Sequence, residues 1–231
     1  MKKVLVVDIG GTNVKLMVSD NAEVRRFKSG SRLAPGTMVK KVKLNTRGWK
    51  YDVISLGFPG LVRDGQPAAE PGNLARGWVD FDYEKAFGKP IKIINDAAMQ
   101  ALAHYQEGRM LFLGLGTGLG STLIVDDVVI PLELGELKYR KRASFNHTLS
   151  KEGLARLGQR RWERAVHEVV SVLRCALQTD YIVIGGGSAK LLQSLPTGSR
   201  RGDNRHAFNG GWRLWHHTEK ARPQASTWSI E

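Results

Sequence analysis

Two glycine-rich segments of the chain each follow an apolar run and contain a threonine. They cover residues 10–12 and 114–120, and the first comes directly after a run that holds Asp8. Backbone N–H groups and a threonine hydroxyl in such loops can bind phosphate oxygens. Asp8 is a candidate to hold a hydrated Mg²⁺ beside those oxygens. Each loop alone is explained as well by a tight hairpin turn, but two matched loops with an acid favour phosphate binding.

The residues after the first loop argue against the two commonest phosphate-binding folds. Val14, Leu16 and Val18 alternate with other positions, and a period of two predicts a strand. A P-loop or a dinucleotide-binding fold needs a helix there, so that the helix N-terminus meets the phosphate. No G-x-x-x-x-G-K-[ST] motif occurs, and the glycines of 114–120 are not spaced as G-x-G-x-x-G. Both loops are therefore predicted to lie at the tips of β-hairpins.

An amide and a carboxylate stand where a predicted strand runs into a helix, in the segment 91–106. Asn95 or Asp96 is expected to cap this helix, whose apolar face follows Ala98, Leu102 and Tyr105. An aspartate at such a position can also remove a proton from a hydroxyl group. Capping and catalysis are compatible on one residue.

The remaining elements must hold these groups in place. Apolar residues at helical spacing predict an amphipathic helix over 160–177, with Trp162 in the core. The segment 181–192 reads as a buried strand, a glycine turn and the start of a helix, and 196–211 reads as loop. Because 4–20 and 111–127 share one pattern of strand, Gly-Thr loop, strand and acid, we predict duplicated halves.

Composition places the chain among globular proteins of one large domain or two modest ones. It has 231 residues, 42% hydrophobic and 25% charged, and no apolar run of membrane-spanning length. Cys175 is its single cysteine, which excludes an internal disulfide and a multi-cysteine zinc site. The first apolar run is too short for a signal peptide and contains Asp8, so we expect a cytoplasmic protein.

The charge balance is strongly basic. Lys and Arg number 35 against 22 Asp and Glu, a net charge of +13. The four basic clusters are Lys40, Lys41, Lys43, Arg47 and Lys50; Lys138, Arg140, Lys141 and Arg142; Arg160, Arg161 and Arg164; and Arg200, Arg201 and Arg205. They indicate either a solvated surface or a polyanionic partner. No helix-turn-helix, zinc finger or RNA-recognition motif occurs, so nucleic acid is not expected as the cognate partner.

Together these segments resemble the ROK family of sugar kinases, within the actin-like ATPase superfold. The matching segments are DIGGTNVK, IINDAAMQAL, LGLGTGLGSTLIVD and IVIGGG, and GFPG, GNLARGW, LELGE and GDNRHAFNGGWRLW are similar to the polyphosphate glucokinase branch. The resemblance implies an α/β class and a duplicated, ribonuclease H-like fold of two α/β domains with a cleft between them. We predict an N-terminal domain over 1–97, a C-terminal domain over 98–215 and a frayed tail over 216–231.

The resemblance also implies roles, position by position. Asp96 matches the catalytic base. Matches to sugar contacts and to the loop that lines the sugar pocket are Asn73, Asn95, Glu133, Gly57, Pro59 and Gly60. The matching phosphate cradle consists of Gly10, Gly11, Thr12, Asn13, Lys15, Gly116, Thr117 and Gly118. The matching turn beside the nucleotide consists of Gly185, Gly186 and Gly187.

Two departures from the family pattern are informative. Most members carry a cysteine-rich zinc motif after the Glu-x-Gly-His segment, and this chain has no cysteine there, so we expect no zinc. Glu136 stands where the family has a histidine that contacts the sugar. An ionised carboxylate accepts hydrogen bonds but cannot donate them, so this exchange bears on which sugar is used.

The resemblance implies a Mg²⁺-dependent kinase that phosphorylates the 6-hydroxyl of glucose or a related hexose. We expect polyphosphate as the donor, with ATP as a second one, and a homodimer without membrane contact. Two alternatives stay open at this point: an ATP-only hexokinase, and a non-catalytic protein that binds polyanions or sugars. We do not expect a regulator of the family, which would need a DNA-binding domain before the first strand.

Overall fold

The computed structural model describes residues 2–139, 143–203 and 207–216 and contains two five-stranded sheets. Some predictions fall outside these ranges. They concern four members of the basic clusters, Arg140, Lys141, Arg142 and Arg205, and the predicted tail 216–231 apart from its first residue. The first sheet has the order β3-β2-β1-β4-β7. Its strands are β1 Val4–Ile9, β2 Asn13–Val18, β3 Arg25–Lys28, β4 Val53–Phe58 and β7 Ile91–Asn95. A two-stranded ribbon, β5 Val62–Arg63 and β6 Gln66–Pro67, follows β4.

The second sheet repeats the plan of the first, in the order β10-β9-β8-β11-β12. Its strands are β8 Arg109–Leu115, β9 Leu119–Val125, β10 Val128–Leu132, β11 Tyr181–Gly185 and β12 Ser199–Arg201. In each sheet a central strand pairs antiparallel with the strand that follows it and parallel with a later one. The predicted hairpins and the predicted duplication are both confirmed, because each glycine loop joins the two strands of such an antiparallel pair.

Helices cover the faces of both sheets. They are α1 Pro35–Asn45, α2 Tyr83–Phe87, α3 Asp96–His104, α4 Phe145–Leu149, α5 Lys151–Leu157, α6 Gln159–Leu177 and α7 Ala207–His216, with 3₁₀ turns at Leu134–Glu136 and Ala189–Leu191. The prediction of a helix over 160–177 is confirmed, and Trp162 is fully buried and donates its indole N–H to the Leu149 carbonyl. Within the described ranges, no helix combines the length and the apolar character that crossing a membrane requires.

Two main hydrophobic clusters form the core, one against each sheet. Side chains of β1, β2 and β4 pack with α1 and α2 on one face of the first sheet. Side chains of β8 and β11 pack with α4 and α6 on one face of the second. Helix α3 lies between the sheets: a Cβ on Gly57 of β4 would lie 2.6 Å from Met99 Cε, and one on Gly120 of β9 would lie 2.9 Å from Ala97 Cβ. The two glycines thus let both hairpin sheets approach the helix that begins at Asp96.

The prediction of a loop over 196–211 is wrong in its last part, where α7 begins. Gly210 and Gly211 lie inside this helix, and a Cβ on Gly210 would collide with the Met99 carbonyl of α3. A glycine pair is typical of turns when only the local chain is considered, but here it permits close packing of two helices. Ser55 of the first sheet donates a hydrogen bond of 2.6 Å to the Gly211 carbonyl. The division at residue 97 stays a prediction, and α7 contacts the first sheet from the far end of the chain.

Candidate active site

The candidate site is a cleft of about 1260 Å³ lined by residues of both sheets. Most of the predicted site residues line it: Gly10, Gly11, Asn13, Lys15, Pro59, Gly60, Asn73, Asn95, Asp96, Gly116, Thr117, Gly118, Glu133, Glu136, Gly186 and Gly187. Four others, Asp8, Thr12, Gly57 and Gly185, lie next to it in the chain but do not line it. Gly57 packs against Met99 and a Cβ on Gly185 would meet the Phe112 ring, so both lie behind the cleft wall.

The first glycine loop faces two other loops across the cleft. A hydrogen bond of 3.1 Å from the Gly10 N–H to the Asn13 carbonyl closes its turn, and the Ser29 hydroxyl donates to the Gly10 carbonyl at 2.8 Å. A Cβ on Gly11 would lie 2.8 Å from Asn73 Nδ2 and 3.6 Å from Thr117 Oγ1. Three segments far apart in sequence therefore meet at Gly11, and a side chain there would block their approach.

The second glycine loop is held by the helices that follow it. The Leu119 N–H donates to Asn146 Oδ1 at 3.0 Å, and the Lys151 N–H donates to the Gly116 carbonyl at 2.8 Å. Asn146 also lines the cleft. Sequence reasoning assigned it no role, because no local pattern links Asn146 to a loop 27 residues earlier.

Asp8 is the last residue but one of β1, near the carboxyl edge of the first sheet, in register with Lys15 of β2 and Gly57 of β4. Its side chain is buried, and its Oδ2 lies 3.3 Å from Lys15 Nζ. Its Oδ1 has no hydrogen-bond partner within the described residues, and a buried acceptor in that state is costly. This orphaned oxygen fits a hydrated Mg²⁺. No group of three or more His, Cys, Asp or Glu that could ligate a metal occurs in the described part of the chain, and Mg²⁺ sites commonly use one or two carboxylates and substrate phosphates.

Asn95 and Asp96 divide the two roles expected at the start of α3. Asn95 Oδ1 accepts from the Ala98 N–H at 3.1 Å and caps the helix, while its Nδ2 donates to the Gly60 carbonyl at 3.1 Å. Asp96 is the first helical residue, and its Oδ1 accepts from the Ala97 N–H at 2.8 Å. Asn95 thereby fixes the loop at Gly60 and leaves the Asp96 carboxyl to the cleft.

The Asp96 carboxyl is the most perturbed acid of the cleft. Burial raises its pKa from 3.8 to about 7, with smaller contributions in the same direction from the charges of Asp8 and Glu133. The Ala97 N–H opposes this shift only in part. A carboxyl with a pKa near neutrality can accept a proton and release it again at physiological pH, which is the property of a general base.

Two further acids lie at the 3₁₀ turn Leu134–Glu136, at the side of the cleft formed by the second sheet: Glu133 precedes the turn and Glu136 is its last residue. Burial and the neighbouring charge of Glu136 raise the pKa of Glu133. Glu133 and Glu136 both line the cleft. Glu136, which stands in the place of the family's histidine, therefore lines the same cleft as Glu133, which matches a sugar contact of the family.

The cations that line the cleft are Lys15, Arg26 and Lys190 among the described residues. Arg26 lies opposite Lys15 in the β2–β3 pairing, which aligns the two charges across neighbouring strands. Sequence reasoning missed Arg26 and Lys190, since neither belongs to a basic cluster.

None of the described members of the four basic clusters lines the cleft. The Arg200 guanidinium donates to the His104 carbonyl at 2.7 Å and lies over the Tyr181 ring, 4.6 Å from its centroid. Arg201 donates to the Leu192 carbonyl at 2.9 Å. These two arginines therefore contact the surrounding backbone and the Tyr181 ring, and they do not line the cleft that holds the glycine loops.

The two sheets repeat one α/β plan, and this is the actin-like ATPase fold that the sequence predicted. The model of the ROK family matches residues 4–131, and the chain belongs to that family. No curated protein matches the chain.

Solved structures agree with this fold along nearly the whole chain. An inorganic polyphosphate/ATP-glucomannokinase from Arthrobacter sp. strain KM is similar with a TM-score of 0.78 and 22% identity, covering 94% of this chain and all of its own. A ROK family glucokinase from Streptomyces griseus, in complex with glucose and AMPPNP, has a TM-score of 0.73 and 15% identity, over 92% and 97%. A ROK family transcriptional regulator, a homologue of the E. coli Mlc protein, has a TM-score of 0.69 and 15% identity, over 92% of this chain and 77% of its own. At these identities the similarity defines the fold, and the activity is argued from the site.

Proposed function

We propose that the protein is a sugar kinase that transfers a phosphoryl group to the 6-hydroxyl of glucose or a related hexose, with polyphosphate as donor and ATP as a second donor. The observation that carries this proposal is the Asp96 carboxyl, which has a pKa of about 7 and faces the cleft where the two glycine loops meet. A protein that only binds a sugar or a polyanion has no need of a base tuned to neutrality.

The acceptor side of the reaction uses Asp96 as the base. The sugar oxygen forms a bond to phosphorus while the bond from phosphorus to the bridging oxygen of the donor breaks, and the hydroxyl proton passes to the Asp96 carboxylate. The donor leaves shortened by one phosphate. Asn73, Glu133 and the turn at Pro59 and Gly60 line the cleft and supply the polar and backbone groups that orient the sugar.

The donor side relies on positioning and charge. Phosphoryl transfer places its mobile charge on phosphoryl oxygens, and backbone N–H groups with fixed orientation stabilise that charge without reorganisation. Thr117 and the two glycine loops offer such groups, and Lys15 adds a cation. Mg²⁺, when bound, would neutralise charge on the donor phosphates. Asp8 would hold it through water, with its unpartnered Oδ1 as the acceptor.

The choice of polyphosphate as donor is supported by charge and by one solved structure. The chain has a net charge of +13, and Lys15, Arg26 and Lys190 line the cleft. The glucomannokinase from Arthrobacter is described as using polyphosphate and ATP. An elongated polyanion needs several cations in one cleft, and these three supply them. The ATP-only hexokinase remains the nearest alternative, and in it these three cations would serve only the triphosphate of ATP.

Glu136 favours a second candidate, a sugar-binding protein without catalysis. A carboxylate in the place of the family's histidine removes a donor from the sugar pocket. Asp8 and Asp96 argue for the kinase, because binding a neutral sugar gains nothing from a buried acid beside a half-buried acid that faces the cleft.

A coupled assay of purified protein tests the proposal directly. A panel of hexoses is combined with ATP, with polyphosphates of several chain lengths and with no donor, in the presence of Mg²⁺. The proposal expects phosphorylation of at least one hexose by polyphosphate. Turnover with ATP alone would leave the kinase and remove the polyphosphate donor, and hexose binding without turnover by either donor would establish the second candidate.

A pair of charge-reversal variants tests which cations serve the donor. Lys190→Glu alters the cleft, whereas Lys43→Glu makes the same change at an exposed site on α1 that does not line it. We expect Lys190→Glu to raise the KM for long polyphosphate more than that for ATP, and Lys43→Glu to change neither appreciably. Equal effects of the two variants would show that only the overall charge matters.

A further inference from the structure

A second cavity, of about 360 Å³, lies among the helices of the second half of the chain and shares no lining residue with the cleft. We call it the outer pocket. Its volume is within the range of small-molecule sites, roughly 300–1,000 Å³. Helices α4, α5 and α6 form most of its wall, and its charged or titratable lining residues are His147 of α4, Arg156 of α5, and Arg161, Arg164 and Glu168 of α6.

The outer pocket is positively charged. Among the described residues, three arginines and one glutamate line it, so cationic side chains outnumber the anionic one by two, apart from His147. Within the described residues, neither Arg161 nor Arg164 forms an ion pair. Guanidinium groups in such a cluster bind phosphate with two parallel hydrogen bonds each.

The position of Arg161 in the first turn of α6 is unfavourable for the helix itself. Helix α6 has 19 residues, no acidic residue in its first turn and no side-chain hydrogen bond at its N-cap, Gly158. The N-terminus of a helix carries a partial positive charge that acts within the first turn, so Arg160 and Arg161 are repelled by it. An anion bound at Arg161 would offset this repulsion.

A short helix connects the outer pocket with the second glycine loop. Helix α4 presents His147 and Thr148 to the pocket, while its Asn146 accepts from the Leu119 N–H at the loop. The Arg156 guanidinium donates to the His147 carbonyl at 2.5 Å, so a pocket arginine is bonded to the backbone of α4. A ligand that draws Arg156 toward itself therefore acts on the helix that holds the loop.

From these contacts we infer that the outer pocket is a regulatory site for small phosphate-bearing anions, which bind Arg156, Arg161 and Arg164 and act on the second glycine loop through α4. The class includes inorganic phosphate, short polyphosphates and phosphorylated sugars, which share the dianionic phosphoryl group. The pocket does not depend on the proposed kinase activity, since none of its residues belongs to the cleft.

Binding is tested by isothermal titration calorimetry, in which the full chain is titrated with inorganic phosphate at constant ionic strength. The double variant Arg161→Gln, Arg164→Gln removes the outer pocket, Lys15→Gln weakens the cleft, and Arg160→Gln is the matched control, on the same helix but outside the pocket. All four substituted side chains are exposed, so we expect the variants to fold, and thermal unfolding of each variant is the check. We expect the double variant to lose one phosphate site by at least tenfold in affinity and the control to retain it.

The outcomes separate this inference from the proposed function. Loss of a site only in Lys15→Gln would overturn the outer pocket and keep a phosphate site in the cleft. Loss only in the double variant would support the outer pocket and count against phosphate binding in the cleft. Parallel titrations with tripolyphosphate and glucose 6-phosphate establish which member of the class binds most tightly.

Coupling to the loop is tested by hydrogen exchange of the Leu119 amide. With saturating phosphate, the exchange rate of this amide should be the same in wild type and in Arg160→Gln. The rate in the double variant should differ from that rate by 5-fold or more. Typical allosteric coupling is roughly 5–150-fold, and this expectation is its lower end. Identical exchange in all three proteins would overturn the regulatory action.

Discussion

Replacing Asp96 with asparagine is expected to stabilise the folded protein while removing its activity. The pKa of this carboxyl is about 7 in the folded chain, whereas an unperturbed aspartate has a pKa of 3.8, so folding disfavours the ionisation of Asp96. Asparagine has nearly the same shape, and its Oδ1 can still accept from the Ala97 N–H. The substitution therefore removes the ionisation and leaves the local hydrogen bond in place.

The magnitude follows from proton linkage. A raised folded-state pKa contributes stability that is fully present below pH 3.8 and is lost as the pH rises to about 7. The shift is about three units, and each unit corresponds to about 1.36 kcal/mol, so the loss reaches roughly 4 kcal/mol above pH 7 for complete desolvation. Because Asp96 faces an open cleft, we expect about 2–4 kcal/mol. The Asn variant should gain this amount over wild type at pH 8 and almost nothing at pH 4.

Two measurements on the same proteins check this reasoning. Denaturant unfolding without Mg²⁺ from pH 4 to pH 8 gives the difference in unfolding free energy, and the coupled assay gives kcat, which should fall by roughly 10²–10⁴-fold for a missing general base. Asp82→Asn is the control, because Asp82 caps the exposed start of α2 and asparagine caps as well. A variant no more stable than wild type at pH 8 would refute the burial of this charge, and a kcat above a tenth of wild type would show that the base lies elsewhere.

Four further outcomes are expected. Wild-type kcat/KM should fall by up to tenfold per pH unit below about pH 7, since the protonated Asp96 cannot act as a base, and a rate independent of pH from 5 to 8 would contradict this assignment. Glu136→His should change the ranking of hexoses in the assay panel, because the pocket regains a hydrogen-bond donor; an unchanged ranking with unchanged KM values would show that Glu136 does not touch the sugar. The KM for polyphosphate should rise steeply with salt, that for ATP less, and that for the neutral sugar hardly at all, whereas equal slopes would count against polyphosphate as donor. Gly210→Ala should lower the unfolding free energy by about 1–3 kcal/mol, because the added Cβ would collide with the Met99 carbonyl. Gly36→Ala is the control, because a Cβ at this position of α1 meets open space. Equal changes in thermal stability for the two variants would contradict the packing of α7 on α3.

The two hairpins, the repeated plan of the sheets and the cap at the start of α3 could be predicted from the sequence. Each rests on residues close together in the chain: the alternation after Gly11, the apolar run before Gly114, and Asn95 before a helical pattern. Local backbone preference and side-chain periodicity decide such features, and they are written in short segments. The family resemblance also identified the acids and glycines of the cleft, because its motifs are short and contiguous.

The rest required the tertiary structure, because it depends on residues brought together from distant positions. The pKa of Asp96 comes from burial and from the charges of Asp8 and Glu133, which no pattern around residue 96 reveals. Asn146 reaches the second loop only through the packing of α4, and Gly210 and Gly211 belong to a helix because α3 lies against them. Charge clusters in the sequence did not identify the cations of the cleft, since sheet pairing places Arg26 beside Lys15 and directs Arg200 elsewhere. Local interactions select the elements, whereas burial, electrostatics and long-range contacts exist only once those elements have packed.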